Sequence, residues 1–207
     1  MTRLNFNNYS KMNKLIVLVV LLISVSCTNA KKEVKTYQIG QIKTTQGDML
    51  FWLYDETPAH KASFIKLANE NYWDSLTFNR VIENFVIQGG CPDTREGFGD
   101  SPYLIKPEFN DSLKHIYGAV GAGRDNNPEK LTAGCQFYIV HAKDGLPRLD
   151  GEYMIIGQVF KGLDVLNAIA TVETDAGNAP IIDITLDINI LSLINRTLSG
   201  PQGPARS

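Results

Sequence analysis

The chain has 207 residues, of which 43% are hydrophobic and 20% are charged, and its formal net charge is −2. This composition indicates one globular domain of moderate size with extensions, whose core needs no structural metal. The lack of a basic excess argues against nucleic acid as a partner. No cofactor or metal site is predicted, because His60, His115 and His141 share no metal-like spacing. We expect them to be isolated surface or strand-end histidines.

The N-terminal segment 1–26 has the three-part form of a secretion signal. A short cationic start precedes an apolar run at Leu15–Ile23, which is shorter than the roughly 20 residues that span a bilayer. Small residues follow and lead to Cys27, an arrangement similar to the bacterial lipobox. We therefore expect residues 1–26 to be a lipoprotein signal peptide and Cys27 to be lipidated. The protein would then be anchored to a bacterial membrane in the cell envelope, facing the periplasm or the outside. An ordinary cleaved signal is the alternative.

The elements predicted after a polar tether at 27–36 are mostly β-strands. Alternating apolar residues and turn signals predict strands at these ranges: 38–44, 49–54, 77–82, 85–88, 118–122, 137–141, 154–160 and 181–194. One helix is predicted from Thr57, as N-cap before Pro58, to near Asn69, and a second at 163–170. Many short strands without regular βαβ alternation favour a closed or nearly closed antiparallel barrel.

Two further features lie between these elements. Residues 91–112 are rich in Gly, Pro, Asp and Ser and predict a long loop of the kind that is usually functional. Cys91 and Cys135 are 44 positions apart, and two interpretations stay open for them. They form a disulfide in an exported chain, or they are two small buried thiols.

Four blocks of sequence, in order, resemble one known family. Residues 78–90 read F-N-R-V-I-E-N-F-V-I-Q-G-G, and this stretch is similar to the cyclophilin signature. Gly134–Ile139 (G-C-Q-F-Y-I) and Leu149–Gly157 (L-D-G at its start, I-G at its end) resemble two further cyclophilin blocks, and Gly118–Arg124 fits the strand before them. The resemblance runs from about Tyr37 to Leu193, so a cyclophilin-like domain is assigned to 37–195 and a flexible tail to 196–207.

This resemblance implies a mainly β fold, a closed eight-stranded antiparallel barrel capped by two α-helices. It implies a peptidyl-prolyl cis-trans isomerase that acts on exported proteins and assists their folding, with a groove on the outer surface of the barrel as its site. The implied catalytic residues are Arg80, Phe85 and Gln88. The implied substrate-binding residues are Val86, Ala122, Gly123, Gln136, Tyr138, Leu149 and Tyr153. The implied partners are Pro-containing polypeptides, and the chain is expected to be a monomer without a cofactor.

Three positions depart from the family pattern. Arg148 stands where the best-known members carry Trp, Tyr153 where many have His, and Arg124 where many have Asn. The principal alternative function is a catalytically weak module that binds Pro-containing segments without turnover, but the presence of Arg80 favours the enzyme. A third hypothesis, made without the resemblance, is a lipid-anchored barrel that carries a small apolar ligand in its lumen. Large hydrophobic residues on nearly every strand argue against an empty lumen.

Overall fold

The structure is a computed structural model that describes residues 36–91 and 103–194. Several predicted segments lie outside the described residues: the signal peptide at 1–26, Cys27 with nearly all of its tether, part of the long loop at 92–102, and the tail at 196–207. In the part of the chain that is described, no helix combines the length and the apolar character needed to cross a bilayer.

Most of the predicted elements are present, with ends that move by a few residues. The strands are β1 (Thr36–Thr44), β2 (Gly47–Leu53), β3 (Phe78–Val81), β4 (Val86–Gly90), β5 (Leu104–Ile105), β6 (Ala119–Ala122), β7 (Thr132–Ala133), β8 (Gln136–Val140), β9 (Met154–Lys161) and β10 (Asp187–Ile194). The helices are α1 (Pro58–Asn69) and α2 (Leu163–Ala170), and Pro147–Leu149 form a short 3-10 helix. The small β5–β7 ladder was not predicted.

Eight strands form one antiparallel sheet in the order β10-β1-β2-β9-β6-β8-β4-β3. The prediction of a closed barrel is wrong, because β3 and β10 do not pair as strands and the sheet is an open half-barrel. The short β3 meets the segment before β10 instead. The N–H of Phe78 donates to the carbonyl of Ile184 at 3.0 Å, and the N–H of Leu186 donates to the carbonyl of Leu76 at 2.8 Å. The predicted strand at 181–194 is therefore a strand only from Asp187 onward.

The inner face of the sheet carries the main core. Side chains alternate between faces along each strand, so that Phe137 and Ile139 of β8 face inward. Phe64 of α1 contacts the rings of Phe51, Trp73 and Phe137 at centroid distances of 5.4, 4.5 and 6.2 Å. These large side chains fill the space that a luminal ligand would occupy, so the structure gives no support to the ligand-carrier hypothesis.

Helix α1 begins at Pro58 after Thr57, as predicted, but the Thr57 side chain makes no capping hydrogen bond. The carboxylate of Glu108 caps the helix from a distant part of the chain. It accepts the N–H groups of Ala59 at 3.0 Å and His60 at 3.1 Å, two of the donors that a helix start leaves without partners. An anionic carboxylate also suits the positive end of the helix dipole.

His60 is buried in this helix and is not the surface histidine predicted from the sequence. Its Nδ1 lies 2.6 Å from Glu108 Oε2, and its Nε2 lies 2.8 Å from Thr132 Oγ1 on β7. Burial lowers the pKa of His60 below its usual value, although Glu108 opposes that shift. The neutral ring therefore donates Nδ1–H to the carboxylate, and its Nε2 accepts a hydrogen bond from the Thr132 hydroxyl, whose oxygen also lies 3.4 Å from the carbonyl oxygen of Ile105.

Candidate active site

The outer face of four adjacent strands aligns the residues of the candidate site. Arg80 of β3 is paired in register with Gln88 of β4, Gln88 with Tyr138 of β8, and Tyr138 with Gly121 of β6. Directly paired residues in a sheet project to the same face, so their side chains form one row. The row explains why Arg80 and Tyr138, which are far apart in sequence, lie on one surface.

This row forms part of a cleft of about 250 Å³ on the outer surface. Its lining consists of Arg80, Phe85, Val86, Gln88, Gly123, Arg124, Gln136, Tyr138, Leu149 and Tyr153. Sites for drug-sized ligands run from about 300 to 1,000 Å³, so this cleft suits a smaller group such as a single five-membered ring. No carboxylate is among the lining residues.

Arg80 lies at one side of the cleft with most of its donors available. Its Nη1 donates to Gln88 Oε1 at 3.4 Å, and its guanidinium carbon lies 5.7 Å from the centroid of the Phe85 ring. These are the contacts that the described residues provide, and a guanidinium has five N–H donors. Arg80 can therefore donate into the cleft while Gln88 holds one end of its planar group.

The apolar wall of the cleft is a second hydrophobic cluster, separate from the main core. Val86, Tyr138 and Ile155 are buried in it, and Phe85 and Leu149 pack against it while partly exposed. Gly121 makes room for the Tyr138 ring, since a Cβ there would lie 2.1 Å from Tyr138 Cζ. The lack of a side chain at one residue of β6 thus sets the position of an aromatic wall.

Gln136 is buried at the start of β8, and its Nε2 donates to the carbonyl of Cys91 at 3.0 Å. Gly123 allows this arrangement, because a Cβ there would lie 2.1 Å from Gln136 Oε1. Cys91 and Cys135 form a disulfide with a Cα–Cα distance of 5.4 Å, which decides between the two alternatives left by the sequence. The disulfide therefore joins the end of β4 to the start of β8, directly beside Gln136.

Behind the wall, His115 connects Tyr138 to Asp150. Its Nδ1 lies 2.8 Å from Asp150 Oδ1, and its Nε2 lies 2.8 Å from the Tyr138 hydroxyl. Asp150 Oδ1 also accepts the backbone N–H of His115 at 3.0 Å. His115 is buried, so the expectation of a surface histidine is wrong here as well. His141 does lie at a strand end, after β8, but it is buried, and its Nδ1 accepts the N–H of Asn84 at 3.0 Å.

The protonation of this group follows from burial and hydrogen bonding. Burial lowers the pKa of His115 below its usual value, and the hydrogen bond and charge of Asp150 oppose that shift. Burial would raise the pKa of Asp150, but hydrogen bonds from the His115 backbone and ring lower it below its usual value. Burial raises the pKa of Tyr138 well above 10, so its hydroxyl keeps its proton. His115 is therefore neutral, donates Nδ1–H to Asp150 and accepts a hydrogen bond from the Tyr138 hydroxyl at Nε2.

Two further arginines lie at the rim. The guanidinium carbon of Arg124 is 4.4 Å from the Tyr153 ring centroid, and its Nε donates to the carbonyl of Glu152 at 3.1 Å. Arg148, in the 3-10 helix, places its guanidinium carbon 5.0 Å from the Phe85 ring centroid. The sequence marked both arginines as departures from the family pattern, but it gave no signal of the rings that hold them.

The structure brings nine of the ten implied catalytic and substrate-binding residues into the lining of this cleft. Ala122 is the exception. Its side chain is buried in the main core, and its backbone is paired on one side with Phe137 and on the other with Met154. The supporting pair His115 and Asp150 was missed, because nothing in the sequence indicates that they approach Tyr138.

Comparison with known proteins agrees with this geometry. The sequence model of the family "Cyclophilin type peptidyl-prolyl cis-trans isomerase/CLD" matches residues 39–189. Peptidyl-prolyl cis-trans isomerase CYP18-1 of Arabidopsis thaliana is 34% identical over 149 residues, which cover 70% of this chain and 91% of that protein. Peptidyl-prolyl cis-trans isomerase-like 1 of Neurospora crassa is 34% identical over 148 residues, covering 70% and 88%.

A similar fold is also found among solved structures. The crystal structure of a Cryptosporidium parvum cyclophilin type peptidyl-prolyl cis-trans isomerase, determined in the presence of the dipeptide Ala-Pro, superposes with a TM-score of 0.64. The sequence identity is 27%, and the match covers 74% of this chain and 97% of that one. The family model matches most of the folded domain, two relatives align over most of their own length, and the fold is shared with a solved structure. This chain therefore belongs to the cyclophilin-type peptidyl-prolyl cis-trans isomerases.

Proposed function

We propose that this chain catalyses rotation about Xaa–Pro bonds in exported polypeptides and assists their folding, with Arg80 as the group that stabilises the transition state. The observation that carries the assignment of Arg80 is its place in the cleft. A charged guanidinium faces a small apolar pocket and keeps donors available for a bound peptide.

To catalyse this rotation, an enzyme needs to position the peptide and to provide one hydrogen-bond donor to the prolyl nitrogen. Amide resonance gives the planar peptide bond a rotation barrier of about 18–20 kcal/mol. At the twisted midpoint the prolyl nitrogen loses its conjugation and becomes pyramidal, so that its lone pair can accept a hydrogen bond. A guanidinium N–H from Arg80 that donates to this nitrogen stabilises the twisted form more than either planar isomer. Such differential binding lowers the barrier without a nucleophile or a general base.

The apolar wall supplies the grip on proline. Phe85 forms the floor of the pocket, and Val86, Tyr138 and Leu149 form its sides. A proline ring has no N–H, so it enters an apolar pocket without leaving a polar group unsatisfied. Holding the ring lets the carbonyl on the other side of the bond rotate.

Two amides complete the proposed site. Gln88 holds the Arg80 guanidinium through the 3.4 Å hydrogen bond. Gln136 lines the same cleft and donates a hydrogen bond to the Cys91 carbonyl, and its proposed role is to bind the backbone of the peptide. Tyr153 and Gly123 also line the cleft.

The proposed location is the bacterial cell envelope, with Cys27 as the lipidated anchor. The support comes from the sequence of the segment 1–27, whose short apolar run ends just before Cys27. The Cys91–Cys135 disulfide is in keeping with an exported protein, because disulfides persist in oxidising compartments. Fractionation of bacterial cells tests the anchor: Cys27→Ser should move the protein out of the membrane fraction, and retention there would argue against it.

The enzymatic proposal is tested by isomerisation of a short Ala-Pro-Phe peptide, followed by NMR exchange. The full chain should accelerate exchange, and Arg80→Ala should lower kcat/KM by about 100-fold, the usual cost of one transition-state donor. Lys66→Gln is the control, because Lys66 lies on the exposed side of α1, paired with Glu70 at 2.8 Å.

Two outcomes would count against this assignment. If Arg80→Ala keeps the wild-type rate, another group supplies the stabilisation. If the wild type binds the peptide without accelerating exchange, the cleft belongs to a binding module for Pro-containing segments.

A further inference from the structure

We propose that Arg148 makes this cleft selective for acidic segments, so that its preferred substrates carry Glu or Asp next to the proline. This inference rests on the proposed function of the cleft and names the substrate class that it serves. Arg148 would act as a specificity-determining residue at the rim, with no part in the rotation itself.

The first step is the position of the charge. Arg148 lies in the 3-10 helix directly before Leu149, which lines the cleft. Its guanidinium carbon is 5.0 Å from the Phe85 ring centroid, and that of Arg80 is 5.7 Å from the same centroid. Both guanidinium groups therefore lie near one aromatic ring, the proposed floor of the proline pocket. A peptide whose proline sits on Phe85 passes close to both charges.

The second step is the absence of a local counterion. In the described part of the chain, Arg148 has no ion pair and no hydrogen bond, and no carboxylate lines the cleft. The side chain is exposed, so its charge is accessible to a bound peptide. The charge is nevertheless localised, because the guanidinium lies over an aromatic ring.

Arg124 provides the contrast that singles out Arg148. Its side chain is only 8% exposed, its Nη2 lies 3.8 Å from Glu152 Oε2, and its Nη1 donates to the carbonyl of Asp125 at 2.9 Å. Its charge is thus partly neutralised within the protein. Arg148 is the rim arginine whose charge remains available to a substrate.

The third step is charge balance. The whole chain has a formal net charge of −2, yet Arg80 and Arg148 place two positive charges around one apolar pocket. Like charges held near each other are stabilised by an anion that binds between them or beside them. A glutamate next to proline can bring a carboxylate to Arg148 while the ring stays on Phe85. Since the site is open to solvent, the attraction is screened by salt, with a Debye length of about 8 Å at physiological ionic strength.

The test uses two matched peptide pairs, Ala-Glu-Pro-Phe against Ala-Gln-Pro-Phe and Ala-Ala-Pro-Glu against Ala-Ala-Pro-Gln, with blocked ends. In each pair the two side chains have nearly the same shape and differ in charge. Exchange rates by NMR give kcat/KM, and titration of the same samples gives the affinity. We expect the wild type to prefer the Glu peptide of at least one pair by about threefold at low salt, the effect of an exposed ion pair.

Variants at position 148 assign the preference. Arg148→Gln should bring the Glu/Gln ratio to about one, and Arg148→Glu should take it below one. The ratio is taken within each variant, so it does not depend on that variant's overall rate. Lys66→Gln removes a positive charge far from the cleft and should leave the ratio unchanged. Salt at about 0.5 M should reduce the wild-type ratio toward one, because it screens the attraction.

The outcomes separate this inference from the proposed function. A wild-type ratio of one in both pairs, or a ratio that survives in Arg148→Gln, would overturn the inference even if all peptides are isomerised quickly. Failure to accelerate any Gln peptide would instead refute the isomerase activity. In that case the affinities of the Glu and Gln peptides still decide whether Arg148 selects acidic segments.

Discussion

Two groups of three side chains, each centred on a buried histidine, contain the same chemical groups and contact different elements of the fold. The helix relay, Glu108–His60–Thr132, lies at the start of α1, and the groove relay, Asp150–His115–Tyr138, lies behind the cleft. In each relay a neutral histidine joins a carboxylate to a hydroxyl, and the carboxylate also accepts the backbone N–H of that histidine.

The difference lies in what the two ends hold. The carboxylate of the helix relay caps α1, and its hydroxyl belongs to Thr132 on the small ladder. The hydroxyl of the groove relay belongs to Tyr138, which lines the cleft of the proposed proline pocket, and its carboxylate follows Leu149, another lining residue. The hydrogen bonds of the helix relay should therefore contribute only to the stability of the fold. Those of the groove relay should contribute both to stability and to the geometry of the cleft.

The largest expected effect comes from removing each carboxylate. Glu108→Ala and Asp150→Ala should each lower the free energy of unfolding by about 3 kcal/mol, because a buried histidine and its backbone N–H, and for Glu108 also the N–H of Ala59, lose a charged acceptor. Only Asp150→Ala should also lower kcat/KM, by about tenfold, since Tyr138 and Leu149 lose their alignment. Urea unfolding measures the free energy of unfolding, and isomerisation of the peptide at low temperature measures kcat/KM.

Glu70→Ala is the control for both carboxylate variants, because Glu70 is exposed and its pair with Lys66 should contribute less than about 1 kcal/mol. Equal losses of kcat/KM in Glu108→Ala and Asp150→Ala would show that the relays do not differ in function. An unchanged kcat/KM in Asp150→Ala would remove the groove relay from the site.

A smaller effect is expected when each relay loses only its hydroxyl. Tyr138→Phe and Thr132→Val keep the shape of the side chain and leave a buried histidine nitrogen without its donor, at a cost of about 1 kcal/mol each. Tyr138→Phe should also reduce kcat/KM about twofold, since the ring still packs under Gly121 and loses only its hydrogen bond. Thr132→Val should leave kcat/KM at the wild-type value. A larger activity loss in Thr132→Val than in Tyr138→Phe would reverse the assignment of the two relays.

The sequence predicted most of the residues on the outer face of the sheet that line the cleft. Strand periodicity and the resemblance of the sequence blocks to the family both indicated them. Arg80, Gln88 and Tyr138 belong to blocks that are far apart in sequence, and strand pairing brings them into one row. Even the alternation along β8, with Gln136 outward and Phe137 inward, follows from the period of two.

The relays could not be predicted, because each joins residues that share no element and no spacing. His60 and Glu108 are 48 positions apart, and His115 and Asp150 are 35 apart. A polar residue in a helix or loop is normally exposed, so the sequence favoured surface histidines. The closed barrel failed for a related reason: the apolar alternation at 181–186 continues that of β10, yet those residues cross to the β3 edge and do not extend the strand.

The smallest expected effect is a change in the free energy of unfolding in mild acid. The sign of that change shows whether the histidines of the two relays are neutral or charged in the folded state. Burial lowers the pKa of both His60 and His115 below their usual value of 6.5, so the unfolded chain binds these protons first as the pH falls. Stability is then greatest above pH 6.5 and declines below it. The slope cannot exceed about 1.4 kcal/mol per pH unit for each histidine, so the loss per histidine over half a pH unit is below about 0.7 kcal/mol.

The response of each relay is measured by the free energy of unfolding at about pH 7.0, 6.5 and 6.0. The proteins compared are the wild type, His60→Gln and His115→Gln. Each variant lacks one titrating ring, so its stability should fall less steeply with acid than that of the wild type. If the wild type instead gains stability toward the lowest pH, the histidines are charged in the folded state and form ion pairs with Glu108 and Asp150. The hydroxyls of Thr132 and Tyr138 would then accept a hydrogen bond from Nε2–H, so both hydrogen bonds would persist with their direction reversed.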